Sequence, residues 1–248
     1  SSVVDGPGNR FVVFLQGCSF NCLACHNPHT IAVRPPGTRG RPGDGESSEA
    51  TSDAPTVMSV DDLVDRIREA APFLSGVTVS GGEATCQWEF VDELFRRLAD
   101  DPATDGLSRL VDTNGDADTA VWQRLAASMH GAMVDLKALD PTVHRLLTGR
   151  GNALVLASIV ELSALDRLTE VRLLLIPDLN DSTTQLEATA AFLAALEPVP
   201  PVVLLGFRHE GTRAIARRFR EATTVDLELA EQVLRESGLD DVTIRAAP

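Results

Sequence analysis

Three of the chain's four cysteines, Cys18, Cys22 and Cys25, stand in the spacing C-x3-C-x2-C. A loop that tight can wrap three thiolates around one inorganic centre, whereas iron–sulfur clusters ordinarily take four cysteines and structural zinc takes four Cys or His ligands. Three thiolates leave a corner free. On a [4Fe-4S] cluster that corner is an iron open to a small molecule, by the logic that separates catalytic from structural metal sites. A competing reading completes the set with His26 or His29 as a Cys3His zinc centre. A disulfide is disfavoured, because the cysteine count is low for a stapled scaffold and no secretory leader is visible. Cys86, alone among apolar neighbours, reads as a small buried filler.

Other polar groups gather where apolar runs end. Gly81-Gly82-Glu83 follows Val77-Thr78-Val79-Ser80, and paired glycines allow a ligand close to the backbone. The alternative is a plain strand-to-helix turn. Asp112-Thr113-Asn114 and Asp135-Leu136-Lys137 close two further runs. Asp135 and Lys137, two apart on an extended chain, share a side and can grip both ends of an amino acid, or simply pair with each other. Lys137 is the only lysine beside 21 arginines, which suggests a position needing a compact ammonium. Arg172 is a charge in an otherwise apolar run, and a buried charge needs a partner, whether ligand or internal salt bridge.

The flanks of the cysteines carry more. Asp5-Gly6-Pro7-Gly8-Asn9-Arg10 leads in, F-L-Q-G-C approaches Cys18, and C-H-N-P leaves Cys25. Together these motifs resemble the radical SAM superfamily and, within it, the activating enzymes of glycyl radical enzymes such as pyruvate formate-lyase activase. S-S-V-V-D-G-P-G-N-R, S-G-G-E-A-T, D-L-K-A and L-T-G-R are most like the YjjW-type activases. The resemblance implies a [4Fe-4S] cluster on Cys18, Cys22 and Cys25, with S-adenosylmethionine (SAM) on its open iron. Reductive cleavage of SAM would yield methionine and a 5′-deoxyadenosyl radical that takes a glycine Cα hydrogen from a partner enzyme. It implies SAM contacts from His26, Asn27, Gly81, Gly82, Glu83, Asp112, Asn114, Asp135, Lys137 and Arg172. Asp112, Thr113, Met133 and Asp135 would surround a monovalent cation. Asp5, Gly6, Pro7, Gly8 and Arg10, beside the barrel mouth, would receive the partner's glycine loop. A flavodoxin- or ferredoxin-type reductant and anaerobic operation are implied as well.

Two positions depart from that pattern. Phe207 is followed by Arg208 and His209 where a single His is usual, so either contacts the ribose. Ala24 stands where an aromatic commonly precedes the last cysteine. No extra cysteines fall between residues 34 and 55, so auxiliary clusters are not expected. A radical SAM enzyme acting on a small molecule is the alternative within the family, and a zinc or electron-transfer module the alternative outside it.

These residues need a scaffold. Phe11–Gln16 reads as a buried strand delivering the cysteine loop. Ser59 caps a helix with Asp61 and Asp62 in its first turn. Further strands are expected at 77–80, 109–112, 132–136, 171–176 and 202–207. Helices are expected at 88–99, 119–129, 141–147, 152–165, 183–196 and 227–236. Such alternation argues for a parallel sheet with helical crossovers. The expected fold is α/β, a partial (β/α)6 TIM-like barrel in a single domain over residues 1–248, with 242–244 closing or flanking it. Residues 34–55, rich in Pro, Gly, Ser and charge, read as a flexible insertion. His130 and His144 read as helix-surface or cap residues without a role.

With 36 acids against 22 bases, a net charge of −14 disfavours nucleic acid or an anionic membrane as partner. No apolar run reaches the ~18 residues of a membrane span. The expected location is the cytoplasm.

Overall fold

The computed structural model describes residues 5–33 and 55–245. Seven strands form one open sheet in chain order, every neighbouring pair parallel. They are β1 (Arg10–Leu15), β2 (Gly76–Gly81), β3 (Ser108–Thr113), β4 (Gly131–Asp135), β5 (Leu168–Leu175), β6 (Val202–Gly206) and β7 (Val242–Arg245). The helices are α1 (Val60–Ala70), α2 (Trp88–Asp100), α3 (Thr119–Leu125), α4 (Pro141–Thr148), α5 (Ala153–Ala164), α6 (Thr183–Ala194) and α7 (Thr224–Glu236). This is the partial α/β barrel expected, with one strand more than six. The four-residue β7 pairs with β6 and leaves β1 and β7 as open edges. The expected insertion at 34–55 falls almost wholly outside the described residues.

The alternation of side chains along each strand divides the sheet into two faces. Val77 and Val79, Val111, Ala132 and Val134, Val171 and Leu173, and Val202 and Leu204 pack outward into one core with the helices. The helices supply matching faces, as when α1 buries Leu63, Val64 and Ile67 behind a Ser59/Asp62 capping box. The opposite face carries Arg10, Thr78, Ser80, Asp112, Met133, Asp135, Glu170, Arg172 and Arg245. It is a polar concave interior, tied by Arg172 to Glu170 and Asp112 and by Arg245 to Glu170.

Several boundaries differ from expectation by up to four residues, α7 for one beginning at Thr224 instead of 227, and two of them show what the chain does there. Helix α3 ends at Leu125, where the chain tightens into i−3 turns (Ala127 N to Arg124 O, Ser128 N to Leu125 O) and the Ser128 carbonyl accepts from Arg109 Nε at 2.9 Å instead of continuing a helix. Strand β5 begins three residues early, at Leu168. A bulge opposite Ala132/Met133 lets Thr169 go unmatched, so the polar Leu168-Thr169-Glu170 joins the sheet.

Candidate active site

The cysteine loop leaves β1 at its C-terminal end, where chemistry collects in parallel α/β barrels. Its two ends are zipped together, with Gly17 N donating to Thr30 O at 2.8 Å and Cys18 N to Ile31 O at 3.0 Å. The last turn of α4 holds its middle, where Asn21 N donates to Thr148 O and Leu23 N to Leu147 O. Phe20 is buried and meets the ring of His144 edge-on at 5.4 Å. Ala24 is buried too, packed with Leu147, Ile176, Phe207 and Ala216. A larger aromatic at 24 would have to displace that cluster.

At the glycines expected to admit a ligand, the space a side chain would take is filled by the protein's own chain. A Cβ on Gly81 would lie 2.2 Å from Leu15 N, and one on Gly82 would lie 2.2 Å from Gly17 O. Gly82 N donates to Leu15 O and Glu83 N to Gly17 O, so this turn is the seat on which the cysteine loop rests. The Glu83 carboxylate is engaged by the protein's own donors. It accepts from Thr85 N, Thr85 Oγ1 and Thr113 Oγ1 through one oxygen and from Asn114 N through the other, all within 2.9 Å. Burial raises its pKa despite these donors. Glu83 is thus a tie between the ends of β2 and β3. It aims Asn114, whose Nδ2 reaches Cys18 Sγ at 3.6 Å and Ser19 Oγ at 3.3 Å.

Burial pushes the Cys18 thiol up to about 12, against a donated Phe20 N–H, with Glu83, Cys22 and Cys25 adding to it. It pushes Cys22 up to about 11, opposed by Lys137, and raises Cys25 as well. Burial thus favours the protonated thiols, and a metal would bind by displacing those protons. Among the described residues, no three His, Cys, Asp or Glu side chains converge on a single metal ion. His26 Nε2 lies 3.2 Å from Arg208 O, within its hydrogen-bond reach, so the Cys3His arrangement is not assembled. What the loop does offer suits a cluster with three thiol ligands. Among the described residues, the three buried side-chain atoms without a hydrogen-bond partner, Gln16 Oε1, His144 Nε2 and Arg213 Nε, all belong to residues that flank or clamp the loop. Cys86 is exposed; it is no core filler.

Opposite the loop, Lys137 Nζ sits 2.7 Å from Asp135 Oδ2. Burial works against the lysine's charge, but Asp135 and the neighbouring Cys22 and Cys25 raise its pKa overall. Asn180 Nδ2 donates to Lys137 O and steadies that turn. Asp112 accepts from Ser80 Oγ at 2.7 Å and from Arg172 Nη1 at 3.0 Å, while Arg172 Nη2 reaches Met133 Sδ at 2.7 Å. The four residues expected around a monovalent cation are thus not assembled as such. A guanidinium already stands between Asp112 and Met133, and the Thr113 hydroxyl turns to Glu83.

At the end of β6 the His209 ring lies 2.8 Å from Phe219 O and 3.5 Å from Glu221, while the Arg208 side chain is exposed and makes no ion pair among the described residues. Arg208 is the residue of the two left free to reach a ligand. Asp5 to Arg10 lies at the strand starts, not beside the mouth. Arg10 donates to Thr78 Oγ1, Val77 O and both Ser108 oxygens, binding β1 to β2 and β3. Asp5 rests on the concave face through Thr78 Oγ1, which donates to its carbonyl. Arg213 was given no role from sequence, as one arginine among 21 in no motif. Its guanidinium donates to Asn21 Oδ1 at 2.8 Å and to the Cys22 carbonyl.

A seven-strand parallel half-barrel with a three-cysteine loop over its strand ends is the architecture of a cluster-bearing enzyme. Residues 12–192 match the profile of the Radical SAM superfamily, and the chain belongs to that superfamily. Membership implies a [4Fe-4S] cluster and SAM. The chain is 31% identical to a pyruvate formate-lyase-activating enzyme of Staphylococcus epidermidis, covering 84% of this chain and 78% of that one. It is 30% identical to the enzyme of that name from Staphylococcus aureus strain USA300, over 94% and 90%. A solved domain of pyruvate-formate lyase-activating enzyme from Bacteroides vulgatus superposes with a TM-score of 0.59 at 26% identity, covering 69% of this chain and 99% of that one. Streptococcus suis SuiB bound to SAM shares the fold, with a TM-score of 0.69 at 14% identity over 98% and 51%.

Proposed function

We propose that this chain activates a glycyl radical enzyme. The observation that carries the reading is the cysteine loop clamped over Asn114, Asp135 and Lys137, in a chain about 30% identical to pyruvate formate-lyase-activating enzymes over most of its length. A bound cluster would supply one electron for the cleavage of SAM to methionine, and the adenosyl fragment would take a glycine Cα hydrogen and leave as 5′-deoxyadenosine, with the partner's glycine kept as the radical.

The protein's own residues bind, orient and exclude water around that chemistry. Cys18, Cys22 and Cys25 would hold the cluster. Lys137 presents a permanent positive charge beside Cys22 and Cys25, suited to the methionyl carboxylate once its bond to Asp135 is shared. Asp135 answers the amino group together with backbone carbonyls near Gly81 and Gly82. Arg208, His26 and Asn27 border the nucleoside side. Arg172 and Glu83 act through the groups they fix, Asp112 and Asn114. Asp5 lies on the concave face near the strand starts, its carboxylate accepting no hydrogen bond from the described residues, which suits it to a backbone amide of a glycine loop that reaches into the concave interior from the strand ends. Electrons come from a low-potential flavodoxin- or ferredoxin-type donor.

The test is anaerobic. Protein reconstituted with iron and sulfide is given SAM and dithionite, and 5′-deoxyadenosine is quantified against a Cys22→Ala control. Product lost in the control supports the reading; no product from fully loaded protein, alone or with glycyl radical enzymes of the same genome, overturns it. An Asp5→Ala variant is expected to keep SAM cleavage and lose partner activation, and full activation would remove the role given to Asp5.

A further inference from the structure

We infer that Arg213 is a positioning residue for the cysteine-bound centre: it clamps the loop, and its charge offsets the electron that the centre takes up. The inference rests on the cluster reading above.

Arg213 stands in the segment between β6 and α7 and reaches across to the far side of the loop. Nη1 donates to Asn21 Oδ1 at 2.8 Å, and Nη2 to Asn21 O at 3.3 Å and Cys22 O at 2.5 Å. One planar fork thus holds two consecutive loop carbonyls and a side-chain amide, which a flexible ammonium cannot reproduce. The fork is itself braced. Ala216 N donates to Arg213 O, Thr212 Oγ1 to His209 O, and Gly211 packs so closely that a Cβ there would lie 3.0 Å from His26 O.

The charge is the second part. Arg213 makes no ion pair with any carboxylate of the described residues, and its Nε is buried without a hydrogen-bond partner. Its guanidinium lies on the backbone carbonyl of Cys22, within the loop that carries the three cysteines. Lys137, the other cation near those thiols, is paired with Asp135 at 2.7 Å. A partly buried cation with no counter-charge is costly unless something anionic belongs beside it. Three thiolates around a cluster provide that anion. Taking up one electron makes the centre more negative by one charge, with no atom transferred, and a fixed cation beside it favours the reduced form.

The experiment uses reconstituted full-length protein with Arg213→Met and Arg213→Lys. Iron content and the reduction potential, the latter by EPR-monitored titration with dithionite, are read for each. Wild type that binds no cluster would sink the cluster reading itself and is thereby separated from failure of this one. With wild type loaded, Arg213→Met is expected to lower the reduced-to-oxidised ratio at fixed potential at least tenfold, about 59 mV for one electron. Arg213→Lys, keeping the charge, is expected to recover most of that shift. A loaded Arg213→Met with wild-type potential overturns the inference. Amide exchange in cluster-free protein gives an independent reading of the clamp, including for a variant that folds but loads no iron. Asn21 and Leu23 amides are expected to exchange at least tenfold faster in Arg213→Met, and wild-type protection there overturns the clamp.

Discussion

Arg172 illustrates how a residue chosen for one task can serve another. As a charge in an apolar strand it invites a ligand, but in the fold it is 4% exposed and bonded to Glu170, Asp112 and Met133. Removing one member of a buried ionic network strands the others, so Arg172→Met is expected to cost about 3–5 kcal/mol in cluster-free protein. A urea midpoint unchanged from wild type would return the residue to a purely ligand-binding role. His144, read from sequence as a helix-surface or cap residue, is wholly buried, with Nδ1 on the Arg150 carbonyl. Burial lowers its pKa, with Lys137 adding to the effect and Arg150 and Asp116 opposing it. Below ~6.5 the unfolded chain therefore binds a proton that the fold resists, and stability falls as pH falls. His144→Gln is expected to flatten the decline in urea midpoint between about pH 6.5 and 5.5, and an unaltered slope would show that other groups cause it.

At the level of elements, the cysteine loop is built by three separate pieces of chain. The β2 turn seats it, the end of α4 accepts its amides, and Arg213 takes its carbonyls. The seat is the least forgiving. A methyl at Gly82 meets backbone at Gly17 and Thr30, which cannot rotate away. Gly82→Ala is expected to lower stability by about 1–3 kcal/mol and to leave less than one cluster per chain on reconstitution. Full iron loading with an unchanged thermal midpoint would mean that the loop tolerates a shifted seat. Gly-Gly was legible as a close approach, but which backbone approaches depends on β1 lying beside β2, a pairing between segments some sixty residues apart.

For the molecule as a whole, the core between sheet and helices is drawn mainly from the strands and helices, and the cysteine loop adds only Phe20, with Cys18 and Cys22 packed against its edge. Stripping iron with a chelator is expected to abolish absorption near 400 nm while far-UV circular dichroism and a single cooperative unfolding transition persist. Loss of the transition on chelation would mean that the centre nucleates the fold, as in small zinc domains. Among the described residues no helix is long and apolar enough to cross a membrane.

The order of strands, the outward apolar positions and the cysteine spacing were determined by the sequence itself, because period-two and helical burial patterns and short ligand spacing are local properties of the chain. The seventh strand was fainter. Val242–Arg245 is only four residues long, and its place in the sheet depends on parallel pairing with β6. Tertiary structure alone decided which polar groups meet. Glu83 belongs to Thr113 and Asn114, Arg172 to Glu170 and Asp112, Arg10 to the strand starts, and Arg213 to the cysteine loop. A guanidinium or carboxylate spans several ångströms and bonds whatever the fold brings within reach, so its partner is set by which strand ends become neighbours.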